Sequence, residues 1–160
     1  MSNTVDHHRV RKSILGTELY EDEAKVLAGI MGVRKLKDQE LLVSEGGAES
    51  TLFLLAKGKL DVISNIGSVE SVIYTMTEGE CAGTRAFVDR TPRKATLRAA
   101  GDATVYTLSP DAFESLLDSH PRIVYRVMRA LFRVTHSNLM RMNQESQEMA
   151  NYITKTKGRY

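Results

Sequence analysis

The rhythm of apolar positions changes twice along the 160 residues of this chain. Residues 1–17 carry little apolar periodicity, which predicts a flexible N-terminal arm. Val26, Leu27, Ile30 and Met31 then fall at helical spacing, behind Glu21, Asp22 and Glu23, acids that the helix dipole favours in a first turn. That predicts a helix opening near Leu19 and stopping at Gly32, with the four apolar side chains turned to a core.

From Val33 to Leu108 short apolar segments alternate with turn signals, the pattern of an antiparallel sandwich or barrel. Leu41-Leu42-Val43 is the first clear strand, and the glycines of the Glu45–Glu49 turn are free to take positive φ. Leu52-Phe53-Leu54-Leu55-Ala56 reads as a strand buried on both faces. A tight turn at Lys57-Gly58 leads into alternation at Leu60 and Val62; Asn65–Ser68 forms a hairpin tip, and Val72–Met76 is the return strand. Leu97 and Val105 fall on two further strands, separated by the turn pair Gly101-Asp102.

Helical signals then return. Ser109 is an N-cap with Pro110 at the first helical position, and Pro121 opens a second helix that nothing interrupts up to about Ile153, roughly 48 Å at 1.5 Å per residue. The expected fold class is α+β: an antiparallel β-roll or jelly roll flanked by an N-terminal helix and a long C-terminal helix. It divides into the arm (1–17), the roll with its flanking helices (18–120), the long helix (121–154) and a tail (155–160).

The long helix overhangs a domain of this size, so part of it needs a partner. Met128, Phe132, Thr135, Leu139, Met142, Ser146, Met149 and Ile153 recur at spacings of four and three, a heptad seam with two polar breaks. Val124, Val127 and Leu131 are left to pack on the chain's own sheet. The expectation is a homodimer through Met128, Phe132, Thr135, Leu139, Met142 and Met149. Arg122, Arg126, Arg129 and Arg133 form a basic stripe on the same helix. With no interleaved aromatic residues for base stacking it reads as a solvated face, Asp118 lying one turn before Arg122.

Composition changes this picture little. A net charge of +2 is too small to argue for nucleic acid, and a single cysteine fits a reducing compartment. No apolar run approaches the roughly 20 residues of a membrane span, and the polar N-terminus has no signal-peptide core. The expected location is the cytoplasm, with no membrane partner. Metal-enzyme chemistry in a jelly roll needs several ligands clustered on strands. The histidines here are His7 and His8 in the arm, His120 and His136 beside or on helices, so no metal is expected. Cys81 has no base nearby in sequence and reads as a small buried hydrophobe. No enzyme activity is expected.

Candidate chemistry concentrates between Gly79 and Ala99. Gly79 and Gly83 permit tight turns and close approach to a ligand, a short helix start offers backbone N–H groups, and Arg93 follows Pro92 at the entry to a strand. A guanidinium fork donating two parallel hydrogen bonds suits phosphate. The local physics is that of a phosphate cradle.

These residues resemble the phosphate-binding cassette of the cyclic-nucleotide-binding domains found in catabolite-activator-type regulators and in cyclic-nucleotide-dependent kinases and channels. Pro92-Arg93-Lys94-Ala95-Thr96-Leu97-Arg98-Ala99 matches the second half of the cassette, and the glycine-bracketed hairpins extend the resemblance over about residues 19–135. The resemblance implies a β-roll, a long helix that dimerises, Arg93 as the residue holding a cyclic phosphate, Gly83 as the cassette glycine and Ala86 as the small residue beside the phosphate. It also exposes departures. Thr84 stands where the family has a ribose-binding glutamate, Arg85 where it has an apolar residue, and Lys94 where it has a small one. A second register puts Glu80 in the glutamate position, at the expense of four extra loop residues before Arg93. The family's DNA-binding regulators carry a helix-turn-helix after the long helix, and the six residues from Lys155 to Tyr160 do not hold one, so no DNA partner is expected.

Two functions follow. The first is a non-catalytic sensor in which Gly83, Thr84, Arg85, Ala86, Arg93, Lys94 and Ala95 bind a cyclic nucleotide or another phosphorylated ligand and the long helix responds. The second is a degenerate member that binds no nucleotide and serves as a dimeric scaffold or regulatory subunit for an unidentified protein partner.

Overall fold

The computed structural model describes residues 3–157. Two helices, α1 (His7–Lys12) and α2 (Glu21–Gly29), precede eight strands: β1 (Gly32–Leu36), β2 (Leu41–Val43), β3 (Leu52–Lys57), β4 (Leu60–Ile66), β5 (Val69–Met76), β6 (Cys81–Ala82), β7 (Thr96–Ala99) and β8 (Ala103–Leu108). A short helix, α3 (Thr84–Asp89), interrupts the strands after β6. Three helices close the chain: α4 (Pro110–Glu114), α5 (Leu116–Ser119) and α6 (Pro121–Lys157). The strands pair antiparallel in two sheets of four, ordered β1-β8-β3-β6 and β2-β7-β4-β5. The chain therefore has the α+β roll with flanking helices and a long C-terminal helix.

Strand β3 organises the core because both its faces are apolar. Side chains alternate across a strand. Leu52, Leu54 and Ala56 join the cluster under the helices, with Val10, Leu27, Phe113, Ile123 and Val127, while Phe53 and Leu55 join a cluster between the sheets with Leu60, Leu97 and Val105. Strand β8 divides in the same way, Tyr106 and Leu108 to the first cluster, Ala103 and Val105 to the second. A strand shared by two cores holds the helical layer and the roll in register.

The expected flexible arm is a correction. Asp6 caps α1 by accepting from the His8 N–H at 2.9 Å, and Val10 and Leu15 are fully buried (0% exposed). The Ile14 N–H donates to the Gly79 carbonyl at 3.0 Å, tying this segment to the turn before β6. Val5, Val10, Ile14 and Leu15 have no period and gave no sequence signal, yet each packs in the fold because the segment is a short helix followed by a compact turn. The expected helix stop at Gly32 also moves: α2 ends at Gly29, and Gly32 opens β1 against Thr107 of β8.

Helix α6 has two halves. Its root packs on the core through Ile123, Val127, Ala130 and Leu131, with Val124 and Met128 partly buried beside them. From Thr135 to Lys155 every residue is exposed. The stripe expected to be solvated is instead partly engaged: Arg126 pairs with Glu23, and Arg129 and Arg133 reach Glu18. These ions fasten the root of α6 to α2 and to the turn that precedes it. The expected tail begins later than residue 155, since α6 runs to Lys157, and residues 158–160 lie outside the described residues.

Candidate functional site

A cavity of about 460 Å³ lies between the second sheet, the β6–α3 corner and α6. All seven residues expected at the cradle, Gly83, Thr84, Arg85, Ala86, Arg93, Lys94 and Ala95, line it. Its volume is within the range typical of small-ligand sites.

The corner follows from Gly83. This residue is the N-cap of α3 with φ 87° and ψ 19°, a left-handed conformation that glycine adopts without steric cost. The first hydrogen bond of the helix runs from the Phe87 N–H to the Gly83 carbonyl, so the amides of Thr84, Arg85 and Ala86 precede any intrahelical partner. Phe87 anchors the short helix by packing on Phe113, ring centroids 5.4 Å apart.

Arg93 is fixed by its backbone first. Its N–H donates to the Gly47 carbonyl at 2.9 Å, and its carbonyl accepts from the Gly46 N–H at 2.8 Å. The Glu45–Glu49 turn therefore exists to hold the loop that carries this arginine. The side chain is 5% exposed, its guanidinium carbon 5.0 Å from the centre of the Phe53 ring. Nη2 donates to the Thr51 carbonyl at 2.7 Å, while Nε and Nη1 are buried and have no hydrogen-bond partner among the described residues. Burial lowers the Arg93 pKa, and the charge of Glu49 opposes that shift. A buried guanidinium with two unpaired donors is a site short of an anion.

Four cationic residues line the cavity, Arg85, Arg93, Lys94 and Arg141, and Glu80 is the one acidic residue among the described lining. The Glu80 carboxylate is already engaged. It accepts from the Tyr74 hydroxyl and from the Thr77 N–H, the latter at 2.7 Å. The Tyr74–Glu80 hydrogen bond, then burial, then the charge of Glu80 raise the Tyr74 pKa. Cys81 is partly buried against the core, and burial pushes its thiol pKa far up, which disfavours the thiolate.

Sequence reasoning missed the wall supplied by distant elements. Val134, Asn138 and Arg141 of α6 and Ile14 of the N-terminal segment all face the cavity. Their spacing on α6 was legible as one helical face, but the apolar seam beside it took that role, and nothing local says that the helix crosses this opening. Of the six residues expected at the seam, Met128 is instead partly buried against the chain's own core, because the root of α6 packs there, whereas Phe132, Thr135, Leu139, Met142 and Met149 are exposed.

Residues 33–120 match the family model described as the cyclic nucleotide-binding domain, more than half of the chain. The chain belongs to the cyclic nucleotide-binding domain family. It is 25% identical over 108 residues to a cGMP-dependent protein kinase of Plasmodium berghei, covering 68% of this chain and 12% of that kinase. Its fold is similar to that of a cyclic nucleotide-binding domain from Methylobacillus flagellatus KT, with a TM-score of 0.80 at 20% identity over 89% of this chain and 84% of that one. It is also similar to the catabolite activator protein of Thermus thermophilus, with a TM-score of 0.72 at 20% identity over 84% of this chain and 63% of that one.

Proposed function

We propose that this chain is a non-catalytic regulatory domain that binds a small phosphorylated ligand of the cyclic-nucleotide class through Arg93 and relays its presence to α6. The observation that carries the reading is the buried Arg93 side chain, two of whose donor atoms lack partners among the described residues, at a cavity where, among those residues, four cations outnumber one engaged carboxylate. An anionic ligand oxygen supplies the missing acceptors in a charge-assisted pair. Gly83 gives it room, and Thr84, Arg85, Ala86, Lys94 and Ala95 surround it.

Thr84 accepts from or donates to a ribose hydroxyl but lacks the charge of a carboxylate. Arg85, Lys94 and Arg141 favour more negative charge than one cyclic monoester carries. Coupling rests on shared residues: a ligand touching Val134, Asn138 or Arg141 has different affinity for different positions of α6, which is the requirement for a switch. The exposed seam from Phe132 to Ile153 is proposed as the face on which a second copy of α6 packs, giving a cytoplasmic homodimer.

A second reading is supported by Thr84 in the glutamate position and by the existing bond from Arg93 to the Thr51 carbonyl. In it the cradle stays empty and the dimer is a scaffold for a protein partner. A thermal-shift panel of cyclic mono- and dinucleotides separates the two. A ligand at 100 times its dissociation constant stabilises by about 2.7 kcal/mol, and no shift with any member of the panel supports the scaffold.

A further inference from the structure

The folding of the N-terminal segment brings together side chains that lie 14 residues apart in sequence. His7 and His8 open α1, and Glu21 opens α2. The nearest ligand atoms of the three all lie within 4.8 Å of one another. His7 Nε2 stands 3.7 Å from Glu21 Oε1, and the two imidazole rings are 4.1 Å apart between centroids.

His7 Nε2 is buried and has no hydrogen-bond partner among the described residues. The 3.7 Å gap to Glu21 exceeds hydrogen-bond distance. A buried ring nitrogen without a partner is unfavourable, and an imidazole and a carboxylate lie beside it. We propose that His7, His8 and Glu21 form a site for a divalent transition-metal ion of the Zn²⁺ class, which ties α1 to α2.

The donor set selects this class. Two imidazole nitrogens and one carboxylate oxygen suit Zn²⁺, with Co²⁺ and Ni²⁺ as close substitutes, whereas Mg²⁺ and Ca²⁺ require oxygen ligands. Around a tetrahedral Zn²⁺ at ordinary bond lengths, ligand atoms stand roughly 3.3 Å apart. Closing the present spacing needs movement of His8 and Glu21, both exposed, toward the more buried His7. A water molecule completes the fourth position. The ion would fasten the segment that continues into Ile14, which lines the anion cavity and is bonded to Gly79.

The competing account is a plain ion pair between His7 and Glu21, and His8 distinguishes them, since the pair does not need it. Titration of the chelator-treated chain with Zn²⁺ in a calorimeter, repeated with Co²⁺ by visible absorption, should show one ion per chain. Hydrogen exchange should slow over residues 7–16 when Zn²⁺ is added. His8→Ala and Glu21→Gln should each weaken Zn²⁺ binding by about tenfold or more, as even loss of an outer-shell partner costs that much. The double variant His120→Ala, His136→Ala should bind as the unaltered chain does. His8 is exposed, so its replacement keeps the fold even if His7→Ala does not. No saturable Zn²⁺ binding, binding unchanged in His8→Ala, or binding lost with His120 and His136 would each overturn the proposal. Nucleotide binding is not read by any of these measurements.

Discussion

The Arg93 guanidinium lies so close to Gly83 that a β-carbon built on the glycine would stand 2.3 Å from Nη1. The two residues specify each other: the missing side chain makes the space in which the arginine is held. Gly83→Ala combines a left-handed backbone, which costs a residue with a β-carbon about 1–2 kcal/mol, with displacement of the guanidinium. Denaturant unfolding should report that loss of stability, and calorimetry should report a larger loss of anion affinity. Affinity retained in Gly83→Ala would show that the arginine's present position is not the binding one.

Thr84 sets the expected ligand preference. Hydrogen bonds to charged groups contribute about 1.5–3 kcal/mol, so Thr84→Glu should raise affinity for cyclic AMP roughly ten- to a hundredfold. An unchanged dissociation constant in that variant would point to Glu80, which faces the same cavity, as the ribose partner.

The Tyr74 hydroxyl bonded to Glu80 gives a pH signature. Its pKa is raised in the folded chain, first by that hydrogen bond. The protonated phenol is the favoured form, so the stabilisation is complete below the ordinary tyrosine pKa of about 10 and is lost as pH rises through the higher folded value. Ultraviolet titration should show one tyrosine ionising late, and Tyr74→Phe should remove it. A tyrosine ionising at the ordinary pH in the unaltered chain would contradict the bond.

The α6 seam predicts association. Leu139→Asp with Met142→Asp buries charge at the centre of a two-helix interface and should convert a dimer to a monomer in sedimentation at tens of micromolar. An unchanged dimer would move the interface elsewhere, and a monomeric unaltered chain would leave the far half of α6 without the partner its exposed apolar face requires.

Much of the roll was legible because its strands are bounded by glycine turns and its central strand is apolar on both faces. Lys57-Gly58 turns where expected, with Gly58 at φ 87°, and Ser109 caps α4 by accepting from the Ala112 N–H at 3.1 Å. What escaped notice is short or nonlocal. Strand β6 has two residues and exists only because β3 offers an edge, and β1 is polar enough to hide its pairing with β8. The N-terminal segment lacked a period because each apolar residue meets a different neighbour. The residues of the cradle were found because they fall in two short runs close in sequence and resemble a known cassette, whereas its α6 wall is set by a tertiary crossing that no local pattern encodes.

In the proposed function Arg93 receives the ligand's phosphate. Calorimetry of the unaltered chain and of Arg93→Ala against cyclic AMP, cyclic GMP and a cyclic dinucleotide tests it most directly. The unaltered chain should bind at least one of them, cyclic AMP only weakly, with tighter binding for the ligand carrying more phosphate, and Arg93→Ala should bind none. Tight cyclic AMP binding by the unaltered chain would contradict the role given to Thr84, and binding that survives Arg93→Ala would place the ligand outside this cradle.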